Sequence, residues 1–331
     1  MTFAASLSDR PLVTMAVFAF NQQEHIGEAL EGALSQTYEP LEIQIFDDYS
    51  SDETLAVVEM AMTAYTGPHK VSVHRNSENL GWSRFGQHFN SVVTQARGEL
   101  IILAAGDDIS RPNRAEKLVN AWINAGRPPC VLHSAYETLS ETPRLHGQLR
   151  CEGRGFGDRT PLEMAVNDGE GILGATIAFT PDLLTKFGPL PEATVFEDRA
   201  LGFRAILVGQ VIYLNEPLIQ YRLHSANVSG PNIYSDPARW RRFCRGHRTL
   251  YESFRTDYLA IYPDNGHDAR VLLEIERRTT QLRRREKLLT GTFLQKILAA
   301  WSVTIGQRNW LYRILFLLRA VGLRRSKGAK K

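Results

Sequence analysis

The chain has 331 residues, with 39 Lys and Arg against 36 Asp and Glu and 43% apolar residues. That balance describes a folded domain and excludes a collagen-like, disulfide-stapled or disordered chain. The three cysteines, Cys130, Cys151 and Cys244, match no zinc or disulfide spacing and fit a reducing cytosol. No secretory leader pattern is expected, and no run of about 20 apolar residues would span a bilayer. The net charge of +3 hides a division, because residues 235–331 hold 22 of the basic residues and 8 of the acidic ones. A basic appendage on an acidic body is the organisation this predicts, with a boundary in the breaker-rich segment around Ser229-Gly230-Pro231-Asn232. A basic helical face that pairs with the acidic body would produce the same asymmetry.

Val13 to Phe20 reads as a buried strand closed by Asn21, and Ile26, Ala29, Leu30, Ala33 and Leu34 follow at helical spacing. Leu41 to Phe46 predicts a second strand that runs into Asp47-Asp48. A helix over Thr54 to Tyr65 stops at Gly67-Pro68. A strand at Val71 to His74, a helix at Ser83 to Ala96 and a strand at Leu100 to Ala105 come next. That fourth strand ends at Gly106-Asp107-Asp108, before a helix over Arg114 to Ala125. Strands alternating with helices at this spacing predict an α/β fold, a mostly parallel sheet covered on both faces.

Both acidic pairs fall at the carboxyl ends of strands, where open α/β sheets bind ligands. Carboxylates there can hold a hard cation or accept from a sugar or base, although each pair could also cap the following helix. No Gly-x-Gly-x-x-Gly follows the first strand, and no P-loop or Gly-x-Ser-x-Gly is present. Dinucleotide dehydrogenases, P-loop NTPases and elbow-type serine hydrolases are thereby disfavoured.

The blocks Val13–Asn21, Ala33–Tyr38 and Asp47–Asp52, in that order and spacing, resemble family 2 glycosyltransferases. So do Asn79-Leu80-Gly81, Phe89-Asn90, Ala96-Arg97-Gly98-Glu99, Gly106-Asp107-Asp108, Phe196-Glu197-Asp198 and Tyr221–Ser229. The resemblance implies a GT-A fold and inverting transfer of a sugar from a nucleotide diphosphate donor, UDP- or dTDP-linked, to a hydroxyl of a lipid-linked or polysaccharide acceptor. It implies Mg²⁺ or Mn²⁺ as cofactor, held by Asp108 with His224. Asp107 would contact the donor ribose or the metal shell, Asp48 the nucleobase, with Phe20 and Asn21 lining the same pocket. Arg222 would offset diphosphate charge. Asp198 would be the general base, with Glu197 beside it, and Gly174, Ala175 and Thr176 would face the acceptor. The first strand ends Phe18-Ala19-Phe20-Asn21 where many relatives have Pro-Thr-Tyr-Asn, and Ala105 stands where many have a further Asp.

The implied organisation is a glycosyltransferase domain at 1–230 (nucleotide-sugar half about 1–125, acceptor half 126–230) and a basic helical tail at 231–331. The tail carries Arg277, Arg278, Arg283, Arg284, Arg285 and Lys287, then an apolar helix with Trp310, Tyr312 and Ile314 to Leu318 between basic residues. That composition suits an interfacial helix on anionic lipid, placing the enzyme peripherally on the cytoplasmic face of the plasma membrane. A homodimer contact is the competing use of the same helix, and no nucleic-acid module is present. The alternative functions are a nucleotidyltransferase on a similar fold and an inactive membrane-associated scaffold.

Overall fold

A computed structural model of the protein describes residues 10–140, 142–224, 237–264 and 267–290, with the side chains of 237–239 and 287–290 excluded. In chain order the elements begin β1 (Val13–Ala19), α1 (Ile26–Leu34), β2 (Leu41–Asp47), α2 (Thr54–Ala64), β3 (Lys70–Arg75), α3 (Phe85–Gln95) and β4 (Leu100–Ala105). They continue β5 (Ile109–Ser110), α4 (Arg114–Asn124), β6 (Cys130–Ser140), β7 (Leu149–Arg150), α5 (Pro161–Val166), β8 (Ala178–Phe179) and α6 (Asp182–Phe187). The last are α7 (Glu197–Val208), β9 (Gln210–Leu223), α8 (Pro237–Ile261) and α9 (Ala269–Thr290).

Among the described residues one mixed sheet has the order β3-β2-β1-β4-β8-β6-β9-β5, with β7 pairing on β6. β3, β2, β1 and β4 are mutually parallel, which is the alternating pattern of the first half made visible. The short β8 enters antiparallel between β4 and β6 and so joins the two halves in a single sheet. β9 then runs parallel to β6, from Cys130↔Gln210 to Ser140↔Leu223.

Each face of the sheet buries its own core. Val13, Met15 and Val17 of β1 face Ile26 and Leu30 of α1, Val58 of α2 and Leu118 and Trp122 of α4. Ala16 and Phe46 point the other way, toward Phe89 of α3 and Leu201 and Phe203 of α7. The second core does not stop at the basic tail. Leu250, Tyr251, Phe254 and Tyr258 of α8, with Val271, Ile275 and Leu282 of α9, belong to it. The ring of Phe254 stacks on Phe203 at 4.1 Å, and Arg204 of α7 pairs with Asp257 of α8 at 2.9 Å, both side chains buried. The first two helices of the tail are thus packed on the body, while the segment around Trp310 lies outside the described residues.

Several motif residues act as polar staples. The amide of Gln36 donates to Gly32 O and Arg111 O, both at 2.8 Å, and its carbonyl accepts from Ala115 N at 2.9 Å, tying α1 to α4. Asn90 of α3 exchanges two hydrogen bonds with the backbone of Leu190, at 2.7 and 3.0 Å. A side chain at Gly98 would strike Thr14 N at 2.4 Å, so the approach of β4 to β1 requires glycine there.

Candidate active site

The carboxyl ends of β1, β2 and β4 form one rim. Asn21, in a left-handed conformation at φ 49°, follows β1 and accepts from Ser51 N at 2.9 Å through its side-chain oxygen. Its own N–H donates to Ser50 Oγ at 2.9 Å. Asn21 therefore fixes the loop that carries Asp48, and Phe20 beside it is 44% exposed. Asp48 is buried, and its carboxylate accepts from Asn76 Nδ2 (2.7 Å), Leu80 N (2.9 Å), Asn79 Nδ2 (3.0 Å) and Gly81 N (2.8 Å). These four donors draw the Asn76–Gly81 loop down onto the end of β2. Asp47 is turned inward, paired with Arg75 at 3.2 Å. Arg75 lies over the exposed ring of Tyr49, 4.8 Å from its centroid, so Tyr49 and Arg75 join Phe20 on this rim. Neither was legible as a site residue, because Arg75 reaches the rim only through the register of β3 on β2.

Asp107 and Asp108 leave β4 and meet the end of β9. Arg222 N donates to Asp108 Oδ1 at 2.8 Å, and Arg222 Nε donates to Asp107 O at 2.9 Å. The same guanidinium pairs with Glu28 of α1. His224 Nε2 lies 3.0 Å from Asp107 Oδ2, and its ring centroid lies 5.2 Å from that of His25, at the start of α1. Asp108 is buried, and its second oxygen, Oδ2, has no hydrogen-bond partner. Burial, and then the neighbouring charge of Asp107, hold its carboxyl well above the ordinary carboxylate range. A buried carboxylate oxygen left without a partner is costly unless a cation or proton meets it.

That orphan oxygen is the test of fit for a divalent cation, and the residues fit. Asp108 and Asp107 offer the oxygen ligands that Mg²⁺ and Mn²⁺ favour. Among the described residues no group of three His, Cys, Asp or Glu side chains forms a ready cage, so most ligands would come from donor phosphate and water.

A third cluster forms at the start of α7. Asp198 accepts from its neighbour Arg199 N at 2.7 Å and from the backbone N–H of Gly174. Gly174–Thr176 is a 3₁₀ turn laid against these carboxyls, and a Cβ at Gly174 would come within 2.6 Å of Glu197 Oε1. A larger residue there would displace the Glu197 carboxyl. Burial, then the charge of Asp198, pushes Glu197 up to about 8; burial likewise raises Asp198, against the opposing charge of Arg199. Two buried, coupled carboxyls resist ionising together, so one holds a proton while the other is a carboxylate with raised basicity.

Arg114 of α4, wholly buried, links the second and third clusters. It donates to Leu103 O on β4 and to Ala175 O in the 3₁₀ turn, both at 2.8 Å, and to Ser110 Oγ at 3.0 Å. Burial lowers it to about 10 while the Asp108 charge acts to raise it. The sequence offered one signal, an arginine at the start of a helix otherwise apolar on its inner face. In sum, the fold brings Phe20, Asn21 and Asp48 to one part of the rim and Asp107, Asp108, Arg222 and His224 to another. It brings Gly174, Ala175, Thr176, Glu197 and Asp198 to a third.

The profile of Glycosyl transferase family 2 matches residues 14–167. An uncharacterized glycosyltransferase of Haemophilus influenzae is 32% identical over 257 residues, 73% of this chain and 74% of that protein. An uncharacterized glycosyltransferase of Rickettsia prowazekii is 24% identical over 220 residues, and the match spans 66% of each chain. Among solved structures, Staphylococcus aureus TarS 1–349 superposes with a TM-score of 0.57 at 16% identity, covering 93% of this chain and 80% of that one. The mannosyltransferase PcManGT of Pyrobaculum calidifontis, in complex with GDP-Man and Mn²⁺, gives 0.50 at 16% identity over 99% and 90%. The fold is that of the GT-A glycosyltransferases, and the chain belongs to glycosyl transferase family 2.

Proposed function

We propose that the protein transfers a sugar from a UDP- or dTDP-sugar to a hydroxyl of a lipid-linked or polysaccharide acceptor, with inversion at the anomeric carbon. The observation that carries this reading is the Arg114 bridge, which ties Leu103 and Ser110, on either side of Asp107-Asp108, to the turn that abuts Glu197 and Asp198. A charge site for a leaving diphosphate and a base for an incoming hydroxyl are what inverting displacement requires. In this reading the acceptor oxygen attacks the anomeric carbon as its bond to the diphosphate breaks, and the hydroxyl proton passes to Asp198. Glu197 retains its proton beside it. Phe20, Asn21 and Asp48 shape the nucleoside end, with Arg222 near the diphosphate. A bound Mg²⁺ or Mn²⁺ would neutralise charge on that diphosphate, with Asp108 and His224 as its protein ligands and Asp107 in its shell. TarS structures with UDP and UDP-GlcNAc, and the GDP-Man and Mn²⁺ complex of PcManGT, support the donor class. The basic tail would hold the enzyme at the cytoplasmic membrane face, where a lipid-linked acceptor is presented.

Calorimetric titration of UDP, dTDP, GDP and CDP, each with and without Mn²⁺, tests this. Metal-dependent binding of UDP or dTDP is the expected result. Absence of binding by all four would overturn the assignment of Asp48, Asp107 and Asp108.

A further inference from the structure

The segment assigned by composition to a basic appendage supplies a side chain to the surroundings of the candidate base. His247, in the third turn of α8, is almost wholly buried. Its Nδ1 lies 3.1 Å from Phe243 O, a carbonyl that can only accept, so Nδ1 carries the hydrogen. Nε2 of a neutral ring is then an acceptor, and it lies 3.3 Å from Nη1 of Arg199. The imidazole is held between the rings of Phe196 and Phe243, at centroid distances of 4.2 and 4.0 Å. Gly246 brings α8 this close, because a Cβ there would meet Val195 at 2.2 Å.

Arg199 is the residue after Asp198. Its guanidinium lies over Phe196, 4.7 Å from the ring centroid, donates to Asp168 O at 3.2 Å and approaches Glu170 at 3.9 Å. Asp168 is itself held from the tail, by Tyr251 OH of α8 and by Arg278 of α9 at 3.3 Å. Arg199 is thus fixed between a loop and α8, and its charge opposes the proton affinity of the two carboxyls at the start of α7.

We propose that His247 is a positioning residue for transfer, holding the Arg199 guanidinium beside the carboxyl pair at the start of α7. The proposal rests on the assignment of Asp198 as base. It makes α8 part of the catalytic apparatus, supplied from beyond the matched family region. The groups that face His247 are Arg199 on α7, Asp168 in the loop after α5 and Arg285 on α9. At neutral pH the ring is uncharged, because burial, then the charge of Arg199, lowers it to about 4. It therefore acts as a fixed acceptor and does not titrate in the working range.

The test needs no known acceptor. Carboxyl titrations by ¹³C NMR, with Asp198 and Glu197 identified from the spectra of Asp198→Asn and Glu197→Gln, are compared in wild type, His247→Leu and His247→Gln. In His247→Leu the guanidinium loses its acceptor, and both carboxyl titrations move to higher pH. His247→Gln, whose amide oxygen can stand in for Nε2, restores them. Release of UDP from UDP-GlcNAc with Mn²⁺ should fall roughly tenfold or more in kcat for His247→Leu, with UDP affinity unchanged. Should His247→Leu fail to fold, His247→Phe, which keeps an aromatic ring between Phe196 and Phe243 but offers no acceptor, takes its place with the same expected shift. Unmoved titrations in His247→Leu overturn the proposal while leaving Asp198 as base. Undiminished UDP release by Asp198→Asn overturns the base assignment and this proposal together.

Discussion

At the scale of single residues, the carboxyl pair at the start of α7 decides what chemistry is available. Glu197, pushed up to about 8, keeps its proton at neutral pH. Asp198 is also raised, but it has the closer anion-stabilising contacts, Arg199 N and Gly174 N. Wild-type titration is therefore expected in two steps, the lower raised from the ordinary aspartate value by burial and the upper near 8. Transfer should fall as pH drops through the lower step, because the base takes up a proton there. Glu197→Gln should abolish the upper step and retain transfer, whereas Asp198→Asn should lose transfer at every pH. A pH–rate profile of the three proteins checks this, and a Glu197→Gln protein as inactive as Asp198→Asn would reverse the roles. The sequence marked these two residues through their resemblance to a family motif. It did not assign Arg75, Arg114 or His247 to the site, because each reaches its cluster through a contact distant in the chain that no local pattern encodes.

Elements were the most legible level. The first four strands and helices appear where apolar patterning placed them, since β1, β2 and β4 are buried almost throughout and β3, more exposed, still carries Val71 and Val73 in alternation. The short β8 and the two-residue β5 were not legible, because two residues carry no periodicity and their strand character comes from pairing alone. The tail helices were read for charge, and charge averaged over a helix hides its inner face. In α8 that face carries Leu250, Tyr251, Phe254 and Tyr258, at helical spacing, all buried. The helix is locked to α7 by Arg204, which also donates to Gly188 O at 2.8 Å. Arg204→Leu would leave Asp257 buried without its cation and should cost about 3–5 kcal/mol of unfolding free energy. Replacing both partners with leucine should recover most of that loss, since the pair itself repays little beyond its own desolvation. Urea unfolding of the two single variants and the double variant separates these terms.

For the molecule as a whole, the charge asymmetry takes a definite form. Glu286 near the end of α9 meets Arg248 of α8 at 3.0 Å, so the start of α8 lies beside the end of α9. Arg241, Arg242 and Arg245 from one helix and Arg283, Arg284 and Arg285 from the other are exposed at that end of the hairpin. Arg278 instead turns inward to Asp168, so part of the basic surplus does pair with the body. No helix of the described residues is long and apolar enough to cross a membrane. The exposed arginines are suited to the surface of an anionic bilayer, where each contributes about 1 kcal/mol. Sedimentation with phosphatidylglycerol vesicles should therefore weaken at least about tenfold when Arg283, Arg284 and Arg285 are changed to Glu. Phosphatidylcholine vesicles should bind neither protein, and unchanged sedimentation of the variant would remove α9 from the membrane surface.

The meeting of β9 with the loop after β4 also bears on how the protein is made. Asp107 and Asp108 leave the ribosome more than a hundred residues before Arg222 and His224, the groups that close around them. Arg114 must likewise wait for Ala175 before its second carbonyl is available. A nascent chain can complete the parallel strands early, since their contacts are sequential, yet the chemical groups stay splayed until β9 docks along β6. A half-made polypeptide therefore holds the acidic loop without the partners that order it in the finished fold.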